Sequence, residues 1–103
     1  MTTVNLYIGL NDKDTKRQEL TNLDAKAEIS TILFKYFPYG FTLQDCQGLY
    51  KHEDGTTVCE NTIKVILFDY NIGLVLDAVE DLKLKLNQEC IAVERIETTV
   101  NYV

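Results

Sequence analysis

The chain is poor in the residues that build disulfide, metal or membrane architecture. Its three cysteines, Cys46, Cys59 and Cys90, cannot all pair, and no two stand in a CxxC spacing. They read as reduced core fillers. The single histidine, His52, sits beside Glu53 and Asp54 in KHEDG, a set without the fixed geometry that a bound metal needs. No apolar run approaches the roughly 18 residues of a membrane span. The start, MTTVNLYIGL, has neither the basic region nor the cleavage pattern of a secretion signal. A cytoplasmic protein off the membrane is therefore expected. Basic residues are scarce too: 10 Lys and Arg against 16 Asp and Glu give a formal net charge of -6. Such a surface repels a phosphate backbone, so nucleic acid is not expected as a partner. With no catalytic triad, nucleotide loop or metal spacing in view, no cofactor or metal is expected either. One proline, no repeat and no low-complexity tract leave no linker in 103 residues. The chain reads as a single domain over residues 1–103.

What is present is periodicity. Val4, Leu6, Ile8 and Leu10 alternate with more polar neighbours, the two-residue rhythm of a half-buried strand. NDKDTKRQEL follows as a solvated loop, or as a mobile arm over a site. Thr21 and Asp24 are spaced for a reciprocal cap, and Ala25, Ile29, Ile32, Leu33, Tyr36 and Phe37 then recur at helical spacing. Phe37-Pro38 ends that helix, and Gly40 turns the chain. Two strand-like stretches, Phe41 to Lys51 and Thr57 to Phe68, flank HEDG and predict a hairpin. Asp54-Gly55 is its turn, on the ground that both residues tolerate a positive φ. The second of these strands carries Ile63, Val65 and Leu67 on one face, with Ile66 and Phe68 on the other. Ile72, Val75, Leu76, Val79, Leu82 and Leu86 mark a second helix with a charged opposite side. In IAVERIETTVNYV the apolar parity slips between Val93 and Ile96. That slip predicts a β-bulge near Glu94-Arg95, or two short strands in succession.

The order βαββαβ is the ferredoxin-like plan: an α+β domain with a four-stranded antiparallel sheet and two helices on one face. Its other face then holds apolar residues such as Ile66 and Phe68, which must meet solvent, a ligand or another subunit. A homo-oligomer, dimer or trimer, is expected.

FPYGFTLQDCQGLYKHEDGTTVCENTIKV resembles the central hairpin of an uncharacterised bacterial family. The resemblance rests on Phe37, Pro38, Gly40, Phe41, Thr42, Asp45, Gly48, Tyr50, Glu60 and Val65, and extends to LYIGL and NQECIAVERI. Tyr50 stands where that family usually has tryptophan, and Asn61, Thr62 and Lys64 stand where it has proline, serine and lysine. In plan the chain is similar to the PII-like and CutA-like trimers, and the resemblance implies small ligands or metals bound between subunits.

The hairpin supplies the candidate binding set. Gly48, Tyr50 and His52 on one strand face Glu60 and Lys64 on the next, offering an aromatic ring, an imidazole, a carboxylate and an ammonium. Together they would suit a polar metabolite or nucleotide. The even separation of Glu60 and Lys64 puts both on one face, where they could equally form a plain ion pair. No catalytic residue is assigned. Two further readings stay open. Asp77, Glu80, Asp81, Glu89, Glu94 and Glu97 could form the acidic surface of an inhibitor of viral or mobile-element origin. Glu60 or His52 could instead serve a small lyase or isomerase.

Overall fold

In the computed structural model, which describes all 103 residues, six elements follow in the expected order. They are β1 (Thr2–Gly9), α1 (Asn22–Tyr36), β2 (Thr42–Lys51), β3 (Thr57–Phe68), α2 (Ile72–Lys85) and β4 (Ala92–Glu97). The strands pair antiparallel in the order β2-β3-β1-β4, and the helices cover one face. This is the ferredoxin-like α+β fold. No helix is long and apolar enough to cross a membrane.

The core follows from the alternation in the two central strands. Val4, Leu6 and Ile8 of β1 and Ile63, Val65 and Leu67 of β3 are fully buried against Ile29 and Leu33 of α1 and Val75 and Leu82 of α2. Each such side chain contributes about 1.5–3 kcal/mol relative to exposure. Thr21 caps α1 by accepting the Asp24 N–H at 3.1 Å. The return bond from the Asp24 carboxylate does not form, so the cap is one-sided. The Phe37-to-Gly40 joint is structural throughout. Phe37 is fully buried and packs on the Tyr70 ring at 4.5 Å, Gly40 has φ +122, and Tyr70 Oη donates to the Gly40 carbonyl at 2.8 Å.

Four local expectations need correction. The cysteines do not fill the core: Cys46 is half-buried on the sheet, and Cys59 and Cys90 are exposed. Leu76 is half exposed, because the buried stripe of α2 runs through Val75, Ala78, Val79 and Leu82 and leaves Leu76 on its flank. In the hairpin turn only Gly55 takes a positive φ, +88. Asp54 instead accepts the Thr56 N–H at 2.8 Å through its side chain. β4 has no bulge: its register with β1 runs unbroken from Tyr7↔Ala92 to Thr2↔Glu97. The parity slip has another cause. Ile91 and Val93 serve the helical side, while Ile96 lies on the open face, 40% exposed. Residues 98–103 form no strand: Thr98 still exchanges backbone hydrogen bonds with Met1, and past Met1 the chain has no residue left to pair with those that follow.

One consequence of strand length positions everything that follows. β1 pairs with β3 from Thr62 to Phe68, with one further backbone bond from the Leu10 N–H to the Asn61 carbonyl at 2.9 Å, so the backbone of Thr57 to Glu60 pairs with β2 alone. The β2–β3 hairpin therefore projects past the sheet as an arm, and the molecule measures 46 Å along its longest axis against 25 and 24 Å.

Candidate functional site

Where β1 stops at Gly9 and the arm continues, a step forms at the end of the open sheet face. The loop after β1 and the loop before β4 wall its other sides, enclosing an open cleft of about 840 Å³. That is the size range of small-molecule sites.

Glu60 lies at its floor. Its Oε1 accepts the Tyr50 hydroxyl at 2.7 Å and its Oε2 accepts the backbone N–H of Asn11 at 2.8 Å. The carboxylate rests flat over Gly9, where a Cβ would stand 2.6 Å from Oε2 and closer still to Oε1. Only glycine leaves that space. Gly48 is directly opposite Glu60 in the β2–β3 register, and the Tyr50 ring leans back to within 3.8 Å of where a Gly48 Cβ would be. The hydrogen bond to Glu60 pushes the Tyr50 phenol up to about 12, with desolvation adding in the same direction. The His52 ring meets Tyr50 edge-on, centroids 6.1 Å apart.

The wall after β1 is pinned rather than mobile. Gln88 Nε2 donates to the Asn11 carbonyl at 2.7 Å, and Asn87 Nδ2 donates to Asp12 Oδ2 at 3.0 Å and Asp14 Oδ2 at 2.8 Å. Asp12 Oδ1 accepts the N–H groups of Asp14 and Thr15. The Asn87 amide, followed by those backbone donors, holds the Asp12 carboxyl below its usual range. So anchored, the loop presents Lys13 and Lys16 to the cleft.

Of the five residues singled out in the sequence, Gly48, Tyr50, His52 and Glu60 line the cleft together, and Lys64 does not. Lys64 shares the open face but stands over the Tyr7 ring, 5.6 Å from its centroid. It makes no ion pair with Glu60, whose oxygens are engaged by Tyr50 and Asn11. Nearby, Glu94 accepts from Asn5 Nδ2 at 3.0 Å and from Tyr7 Oη at 2.9 Å, and these bonds lower its carboxyl pKa. With Glu94 on the open sheet face and Asp77, Glu80 and Asp81 on α2, the acidic residues do not share one surface. No three His, Cys, Asp or Glu side chains converge as a metal site would require.

Sequence reasoning missed Gly9, Asn11 and the two lysines. The one signal for Gly9 is a side-chain-free residue interrupting the apolar rhythm of LYIGL; the lysines belong to NDKDTKRQEL, read as a loop or an arm over a site, but nothing local singles them out or shows that this loop folds against Asn87.

Neither a family model nor a curated protein matches the chain. Solved structures do. A phage SAM lyase in complex with S-methyl-5'-thioadenosine is 23% identical with a TM-score of 0.69, over 93% of this chain and 80% of that one. CutA1 from Pyrococcus horikoshii is 18% identical with a TM-score of 0.59, over 98% and 87%. The B. subtilis GlnK–ATP complex is 13% identical with a TM-score of 0.58, over 97% and 84%. At these identities the likeness is one of fold, and the plan expected from the CutA-like and PII-like comparison is borne out.

Proposed function

We propose that the chain is a self-associating S-adenosylmethionine lyase, with substrate held in the cleft between the arm and the loop after β1. The observation that carries this reading is the Tyr50–Glu60–Asn11 constellation over Gly9. It fixes an anionic group at the floor of a cleft large enough for a nucleoside. The fold likeness to a SAM lyase bound to S-methyl-5'-thioadenosine supports the choice of ligand.

The chemistry suits the residues present. S-adenosylmethionine carries a sulfonium cation, which a carboxylate attracts and a partly desolvated site strengthens. Tyr50 and the Asn11 amide hold the Glu60 carboxylate in place, so the charge meets the ligand already oriented. Breaking the bond from sulfur to the amino-acid chain leaves the electron pair on sulfur and releases neutral methylthioadenosine. The carbon fragment must then satisfy its electron-poor carbon without water. Closure by the substrate's own carboxylate onto that carbon does so without a base from the protein. A ring forms, no oxidant or base is consumed, and the protein's task is to fold the substrate and exclude water.

Incubation with S-adenosylmethionine, followed by mass spectrometry, tests this directly. Methylthioadenosine should accumulate with the native protein. Glu60→Gln, which keeps the shape and removes the charge, should slow it by about tenfold or more. Absence of methylthioadenosine with folded native protein would sink the lyase reading.

A further inference from the structure

The cleft is chemically two-ended. Toward the arm it presents the rings of Tyr50 and His52 and the side chain of Val58, a surface suited to stacking and apolar contact. Toward the loops it presents formal charge. Lys13 and Lys16 line this end with exposed side chains, and neither makes a salt bridge within the chain. Glu89 lines the same end and is likewise without an ion-pair partner. By contrast Asp12, also at this end, is committed to Asn87 and to two backbone N–H groups.

The backbone fixes where Lys16 stands. Lys16 has φ +62, in the left-handed region, and is held there by its N–H bond to the Asp12 carbonyl at 2.9 Å and by the Asp12 N–H bond to the Arg17 carbonyl at 2.8 Å. A Cβ disfavours that conformation, which glycine adopts freely.

We infer that Lys13 and Lys16 form a carboxylate subsite that, with Glu89 facing the ammonium, reads the amino-acid end of the ligand and sets its direction in the cleft. The nucleoside end then lies against Tyr50 and His52, with the sulfur between the two ends near Glu60. The inference rests on the proposed function and extends it to the determinants of specificity: a ligand lacking the amino-acid end forgoes this subsite.

Isothermal calorimetry with S-adenosylhomocysteine, methylthioadenosine and ATP separates the outcomes. S-adenosylhomocysteine has the amino-acid end with a neutral sulfur and so is not cleaved; methylthioadenosine lacks that end. In the native protein S-adenosylhomocysteine should bind about tenfold more tightly than methylthioadenosine, an advantage that shrinks as salt is raised. In Lys13→Gln/Lys16→Gln the advantage should vanish, with methylthioadenosine affinity unchanged within about twofold. Lys16→Gly should lose part of the advantage while melting no lower than the native protein, since glycine relieves the strained φ. Retention of the advantage in the double variant, or equal loss for both ligands, overturns the subsite. ATP binding more tightly than S-adenosylhomocysteine in a lysine-dependent way overturns the carboxylate assignment in favour of a phosphate site. If the native protein binds neither thioether, the lyase reading fails and the subsite with it.

Discussion

At Gly9 a hydrogen atom in place of a side chain lets the Glu60 carboxylate lie against the backbone, and the rest of the cleft floor follows from that. Gly9 needs no special φ, so Gly9→Ala should fold while forcing Glu60 away from Tyr50 and Asn11. The phenol reports the change. A tyrosine whose pKa is raised in the folded state contributes stability in full below its unfolded value near 10, and loses it as pH climbs through the folded value of about 12. Ultraviolet titration of the native protein should therefore show Tyr50 ionising near 12. In Gly9→Ala that ionisation should fall back toward 10, and adding the shorter Glu60→Asp should recover part of the shift. Titration of Tyr50 unchanged by Gly9→Ala would show that Gly9 does not position Glu60. Little of this was legible in the sequence. Tyr50 and Glu60 were singled out for their chemistry, but the placing of the Glu60 carboxylate depends on Gly9 leaving room, and vacant volume has no periodicity. Lys64 misled for a related reason. Parity sets its face correctly, yet its choice of Tyr7 over Glu60 is decided by neighbours on another strand.

The elements themselves were largely readable, because each is amphipathic against one core and sequence spacing records that burial. Strand β3, helix α1 and the Phe37-to-Gly40 joint fall where alternation, capping and proline put them. β4 was misread because its two apolar parities belong to two different faces, one toward the helices and one toward the open side, and a single strand can carry both without a bulge. The arm raises the element-scale question. A two-stranded ribbon without a covering layer is at best marginally stable in water, and here the backbone of Thr57 to Glu60 pairs only with β2. On the open face Phe68, Ile96 and Tyr102 are exposed as well. Both features fit the proposal that copies of this chain cover one another. Native mass spectrometry should find a dimer or trimer, and amides of the arm should exchange with solvent several-fold more slowly in it than in a dissociated Phe68→Glu/Ile96→Glu variant. A native protein that is strictly monomeric, with a slowly exchanging arm, would contradict that picture.

For the molecule as a whole, fold was the more legible property and site the less, since a fold repeats its signal along every element while a cleft is assembled once. Four of the five residues chosen from the hairpin do line the cleft, because β2 and β3 are one contiguous stretch of sequence and pair locally. The loop after β1 and Gln88 to Cys90 lie far from it in sequence and come to the same place only through the sheet order. The central claim is that this cleft, floored by Glu60 on Gly9, receives an adenosine thioether. A crystal structure grown with saturating methylthioadenosine tests it most directly. The account predicts density for the nucleoside against Tyr50 and His52, with its sulfur toward Glu60; density at any other site, or an empty cleft at saturation, would contradict it.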